Sequence, residues 1–177
     1  MHKLQTLLIL SSFALAGCES MSVSECQVAD WGRVGFADAA AGVSESRLVA
    51  YTEDCGKAGI HPNPQAYRQG WDAGIQRFCT AANGWRAGVL GNSTKASVCQ
   101  GQQGYEVFAR YLDAGLQLHR SNEHLQQNAA EANRLQKRLE ASANDDEKKH
   151  LRDALRSIDR EQFHLRRLLG QQQLMAP

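Results

Sequence analysis

From about residue 103 to residue 170, apolar side chains return every three or four positions with few interruptions. Tyr111, Leu112, Leu118, Leu125, Ala129, Ala132, Leu135 and Leu139 form a narrow seam with heptad-like spacing, which predicts one long helix over about 103–141. Residues 142–145 then read as a turn, and Asn144 followed three residues later by Glu147 resembles a capping box that opens a second helix. In that arm Leu151, Leu155, Ile158, Leu165 and Leu169 make the complementary seam. Folding about a turn near residue 143 sets Leu151 beside Leu135, Leu155 beside Ala132, Ile158 beside Ala129 and Leu169 beside Leu118, with Gln162 facing Leu125. Large residues then oppose small ones, as antiparallel packing favours.

Residues 25–102 follow a different pattern of short helical stretches broken by Gly and Pro. Asp30 is placed to cap a segment running to about Gly42, Ser44 to cap one in which Leu48, Tyr51, Thr52 and Cys55 share a face, and Asn63-Pro64 to open a third. In the third, Tyr67, Trp71, Ile75 and Phe78 recur at helical spacing while Gly70 and Gly74 occupy a neighbouring strip. Gly35-Ala39-Gly42 and Gly84-Gly88-Gly91 make similar small-residue strips. Each helical Gly costs roughly 0.5–1 kcal/mol against Ala, so strips of them imply a close approach by another backbone, either a tight helix crossing or a ligand groove. Asn83-Gly84 also reads as a turn, which leaves 83–99 open between helix and irregular chain. The fold class expected is all-α, with a small disulfide-stapled, Gly-rich helical head over 25–102, a long antiparallel, coiled-coil-like hairpin over 103–170 and a tail over 171–177.

The amino terminus carries an address. His2 and Lys3 precede an apolar stretch, Leu4 to Ala16, too short to cross roughly 30 Å of hydrocarbon. Leu15-Ala16-Gly17-Cys18 closes it as a secretory signal ending in a lipobox, with residues 1–17 as signal peptide and 18–24 as lipidated Cys and linker. The motif resembles bacterial lipoprotein precursors and implies thioether lipidation of Cys18, cleavage before it and acylation of the new amino group. Several acyl chains anchor firmly, because each buried CH₂ contributes roughly 0.8 kcal/mol. Glu19 stands where an Asp would, in enterobacterial-type sorting, hold a lipoprotein in the inner membrane, so the outer membrane, facing the periplasm, is the expected location.

Cys26, Cys55, Cys79 and Cys99 are an even set in a chain bound for an oxidising compartment, and two disulfides are expected. Three pairings are open; Cys26 with Cys55 and Cys79 with Cys99 is favoured because each closes a helix-containing excursion of some 20–30 residues. None of these cysteines has C-x-x-C spacing, and no metal site or cofactor is expected.

The 177 residues hold 20 Lys+Arg against 19 Asp+Glu; removing residues 1–17 takes away Lys3 and leaves 19 against 19. That balance argues against a nucleic-acid partner held by phosphate neutralisation. The charge is uneven along the chain, however, with seven Lys/Arg against three Asp/Glu over 148–167. Residues 120–167 are therefore the expected contact for an envelope protein or an anionic glycan, alongside the membrane reached through the lipid anchor. No G-x-S-x-G, H-E-x-x-H, P-loop or G-x-G-x-x-G motif is present, and an enzyme is not expected. A candidate ligand groove is formed by Trp31, Trp71 and Trp85 with Asp38 and Asp72, the aromatic faces suiting a small ligand or cell-wall fragment. A hydrolase using Asp38 or Asp72 as acid or base is the third reading, after a structural or protein-interaction role and after a binding module.

Glu25-Cys26, Asp30-Trp31, Gly35, Asp38, Gly42, Cys55, Pro62, Ala66-Tyr67, Gly70, Gly74, Phe78-Cys79-Thr80, Asn83-Gly84, Gly88, Gly91 and Val98-Cys99 resemble the pattern of an uncharacterised proteobacterial lipoprotein family, domain-of-unknown-function family 2799. The resemblance spans roughly 20–115, with Ala39 where Gly is usual and Ala81-Ala82 where Pro is expected. It implies an exported lipoprotein and adds no mechanism.

Overall fold

The structure, a computed structural model, describes residues 20–177. The signal peptide and Cys18 lie outside the described residues. The elements in chain order are α1 (Val23–Val28), α2 (Trp31–Ala40), α3 (Arg47–Gly56), α4 (Pro64–Phe78), α5 (Ala81–Val89), a 3₁₀ turn (Ser93–Lys95), α6 (Ala96–Cys99), α7 (Tyr105–Ala141) and α8 (Asp145–Gln173). The described chain is all-α, without a strand.

It divides into two compact units, one comprising residues 20–29 with Ser46–Pro62, the other Asp30–Glu45 with Asn63–Pro177. In the first, α1 begins at a complete capping box, the Ser22 side chain accepting from the Glu25 amide while the Glu25 carboxylate accepts from the Ser22 amide. The Cys26–Cys55 disulfide joins α1 to α3 with the Cα atoms 5.7 Å apart. Ser44 does not cap α3, as its position had suggested: the helix starts at Arg47, behind Ser46, which makes no side-chain cap bond. The turn that ends α2 uses the chain up to Val43, leaving Ser44 three residues short of the next helix.

The second unit is built on two helix crossings. Asp30 caps α2, Asn63 with Pro64 opens α4 and Thr80 caps α5, each side chain accepting an amide three residues on. Thr80 therefore recruits Asn83-Gly84 into a helix rather than a turn, and the Asn83 amide group instead bonds the Arg77 and Phe78 carbonyls. Where α2 crosses α4, a methyl group on Gly35 would overlap the Tyr67 carbonyl, one on Gly70 the Gly32 carbonyl and one on Gly74 the Phe36 carbonyl. Where α5 crosses α7, Gly84 meets the Phe108 carbonyl, Gly88 the Leu112 carbonyl and Gly115 the Trp85 carbonyl in the same way. The small-residue strips are helix crossings, as one of their two readings required.

The two crossings share one register. Gly35 and Gly84, Phe36 and Trp85, and Gly42 and Gly91 stand 49 positions apart; Tyr67 and Phe108, Gly74 and Gly115, and Phe78 and His119 stand 41 apart. Gly42 (φ 69°) ends the α2 turn beneath the Phe78 ring, and Gly91 (φ 76°) ends the α5 turn beneath the His119 ring. Both turns close with the six-to-one bond of a Schellman motif, Val43 N–H to Asp38 O and Asn92 N–H to Ala87 O. The crossings meet at Phe78 and Phe108, whose ring centroids are 5.4 Å apart. The Cys79–Cys99 disulfide spans α5, and Lys95 Nζ donates to the Gly42 carbonyl at 2.8 Å.

The long helix breaks at 142–144 and returns as α8. Asn144 caps α8 by accepting from the Glu147 amide at 3.0 Å, while the Glu147 carboxylate accepts from Ser142 Oγ at 2.8 Å and Arg138 at 2.9 Å. Half of the expected capping box is thus replaced by a clamp across the turn. His124 with Glu161 and Arg138 with Glu147 pair across the hairpin about a centre at 142–143, close to the expected register. Leu118, Leu135, Leu151 and Leu165 are buried in the seam, whereas Ala129 is exposed and Ile158 half-buried. Residue 103 is not a structural boundary, because the first third of α7 belongs to the α5 crossing.

A methyl group at Gly88 meets backbone on three sides, whereas one at Gly170 in α8 meets nothing within 4 Å. Gly88→Ala is expected to destabilise by about 1–3 kcal/mol and Gly170→Ala to stabilise by about 0.5–1 kcal/mol, read by urea melts followed by circular dichroism.

Candidate functional site

Asp38, Trp31 and Trp71 share the α2–α4 crossing. Trp31 and Trp71 are buried, and Trp71 Nε1 donates to the Val43 carbonyl at 3.0 Å. The half-buried Asp38 accepts from the buried Tyr67 hydroxyl at 2.8 Å, satisfying a phenol that α4 carries into the core. Asp72 is exposed on α4. Trp85 belongs to the other crossing and is half-buried. It borders a hollow of about 560 Å³ lined by Ala82, Arg86, Val89, Leu90 and the chain end at Ala176 and Pro177. That volume falls in the small-ligand range, and the lining is apolar with one guanidinium. Among the described residues no group of three or more His, Cys, Asp or Glu is placed to hold a metal ion.

The chain that follows Cys18 is fastened at its first described residue. Asp54 on α3 accepts from both the Ser20 amide and the Ser20 hydroxyl at 2.7 Å, and from Lys57 Nζ at 2.6 Å. The next residue, Cys55, holds α1 through its disulfide. Two adjacent α3 positions therefore fix both ends of the short segment between Ser20 and Cys26. The sequence shows the three-residue Asp54–Lys57 spacing, but nothing in it marks the Ser20 contact, which spans 34 residues.

On the hairpin, α7 balances five basic against five acidic residues, whereas the outer face of α8 does not. Lys149, Arg152, Arg156, Arg160, Phe163 and Arg167 follow one another at three- and four-residue steps and all are exposed. Phe163 is 72% exposed in the middle of that row. The charge count over 148–167 signalled the excess; the single-sided row, and the aromatic within it, follow from reading α8 at 3.6 residues per turn. No helix among the described residues is long and apolar enough to cross a membrane.

The Lys57 and Ser20 hydrogen bonds hold the Asp54 carboxyl well below its ordinary range. A lowered native value makes its contribution fully present above the unfolded value near 3.9 and lost as pH falls through the lower one. The Ser20 amide is therefore expected to keep its hydrogen-exchange protection from neutral pH to below about pH 4, and Asp54→Ala to abolish that protection at every pH.

Comparison with curated proteins and with solved structures finds no match. A family match covers residues 30–117, beginning after Glu25-Cys26 and ending within α7. Those limits enclose both glycine crossings and omit the hairpin. Residues 30–117 of this chain belong to the family described as Protein of unknown function (DUF2799).

Proposed function

We propose that the protein is a non-catalytic lipoprotein of the cell envelope, anchored through Cys18 in the outer membrane, whose hairpin presents a surface to a partner in the periplasm. The observation that carries the reading is Leu15-Ala16-Gly17-Cys18, followed two residues later by a segment clamped to α3. A tether needs a fixed point of departure, and Ser20 on Asp54 supplies one. The four other cysteines form the two disulfides Cys26–Cys55 and Cys79–Cys99, which suits an oxidising compartment. Metabolic labelling with an alkyne palmitate analogue is expected to mark the wild-type protein and not Cys18→Ser. An unlabelled wild-type product overturns the anchor.

A second reading, capture of a small apolar ligand, is favoured by the hollow beside Trp85. On that reading Trp85 fluorescence shifts on titration with a fatty acid, with Arg86→Ala weakening the response several-fold. A flat titration removes the fatty acid as its ligand.

A further inference from the structure

The outer row of α8 carries charge of one sign. Lys149, Arg152, Arg156, Arg160 and Arg167 point away from the Leu151–Leu155–Ile158–Leu165 seam, and their spacing puts them within one narrow strip about 27 Å long. Of the five, Arg156 is ion-paired with Asp153 on the flank of the strip and Lys149 lies within charge attraction of the same carboxylate, while Arg152, Arg160 and Arg167 have no ion-pair partner among the described residues. Asp159 stands on the opposite flank, and no acidic residue lies in the strip between Lys149 and Arg167.

Two large apolar side chains share this face with the cations. Phe163 is 72% exposed between Arg160 and Arg167, and Leu174, seven residues beyond Arg167 and so on the same face, is 87% exposed. An isolated exposed apolar residue is ordinary. Two of them aligned with five cations on the back of an otherwise polar helix match a helix that lies at a bilayer interface, guanidinium groups among the phosphates and apolar groups at the acyl boundary.

We propose that this face of α8 docks on an anionic phospholipid surface. It names the partner of the hairpin in the reading above and rests on the hairpin being the binding element, not on acylation of Cys18. Charge complementarity selects an anionic occupant. A bilayer offers phosphates at any spacing along a straight 27 Å row and also accepts Phe163 and Leu174. An acidic protein would have to match a single file of guanidinium groups and cover both apolar side chains, and a nucleic acid would leave Leu174 in water.

The test is co-sedimentation of the full chain carrying Cys18→Ser, so that no acyl chain contributes, with phosphatidylglycerol–phosphatidylcholine vesicles and with pure phosphatidylcholine vesicles. Capture by the anionic vesicles alone is expected, lost between 0.1 and about 1 M NaCl as the screening length shrinks from about 10 to about 3 Å. Each basic residue near such a surface changes partition several-fold, so Arg152→Glu/Arg160→Glu/Arg167→Glu is expected to lower it by about a hundredfold or more with helicity unchanged. Phe163→Ala is expected to lower it several-fold while leaving the salt dependence intact. Equal capture by both vesicle types, or wild-type capture of the triple variant, overturns the proposal. So does binding of a fluorescent oligonucleotide or polyphosphate without vesicle capture, which reassigns the row to a soluble polyanion. Failure of vesicle capture leaves palmitate labelling of Cys18 untouched, and failure of labelling leaves vesicle capture untouched, so the two readings fail separately.

Discussion

Backbone meets backbone at both helix crossings, and the rest of the larger unit is arranged around that constraint. The carbonyls of Gly32, Phe36 and Tyr67 sit where β-carbons would otherwise stand on Gly70, Gly74 and Gly35. The carbonyls of Trp85, Phe108 and Leu112 do the same to Gly115, Gly84 and Gly88. Helices of ten and nine residues, as α2 and α5 are, carry too few large side chains to bury much area by ordinary ridge-and-groove packing. Close approach raises the number of dispersion contacts per residue, at the cost of the extra unfolded-state entropy that each glycine brings. The Cys79–Cys99 bridge, which closes a 20-residue separation around α5, removes part of that entropy again, by roughly 3 kcal/mol.

The shared register makes the differences between the crossings informative. Phe78 over Gly42 is the last residue of α4, because Cys79 departs to its disulfide and its carbonyl fills the space a β-carbon would occupy on Gly104. His119 over Gly91 is followed by 22 more helical residues, and its Nδ1 meets the Val89 carbonyl at 3.0 Å where Trp71 serves the first crossing by bonding Val43. Helix α7 therefore runs on past the second crossing, whereas α4 stops at the first. Everything past residue 117, including all of α8, is that extension and lies outside the matched family region.

Patterns set within a few residues were legible from sequence, and those that depend on which segments meet were not. Caps at Asp30, Asn63 and Asn144 and the hairpin seam are local, so their chemistry is visible in consecutive residues. Loop length between cysteines favours the observed disulfide pairing among three that the sequence leaves open. The strips Gly35-Ala39-Gly42 and Gly84-Gly88-Gly91 show a four-then-three spacing, but their partners on α4 and α7 sit among bulky residues at a different offset, which hides the shared register. Asn83-Gly84 leaves its segment open between turn and helix, and the N-cap at Thr80 decides for helix against the turn preference of the dipeptide. Residue type alone puts Trp31, Trp71 and Trp85 in one group, whereas the fold sends Trp85 to a different crossing from Trp31 and Trp71.

The basic row on α8 runs against the helix's own stability. Lys149 with Arg152, Arg152 with Arg156 and Arg156 with Arg160 are like charges at three- and four-residue spacing, each pair costing about 0.2–0.5 kcal/mol in an exposed helix. Asp153 relieves Arg156 through a direct ion pair and Lys149 through charge attraction, leaving Arg152, Arg160 and Arg167 without such relief. A helix needed only to cover the α7 seam could alternate signs on its back, as α7 does with Arg134 on Glu131. The acids of α8 are instead gathered into its first turn, where Asp145, Asp146 and Glu147 favour the helix dipole, and onto its flanks at Asp153, Asp159 and Glu161. Segregating the two signs keeps the formal net charge of the whole chain at +1 while one face remains strongly positive over several turns. Self-repulsion along such a face is relieved when an opposing layer of charge comes within a screening length, which ties the arrangement of α8 to something outside the chain.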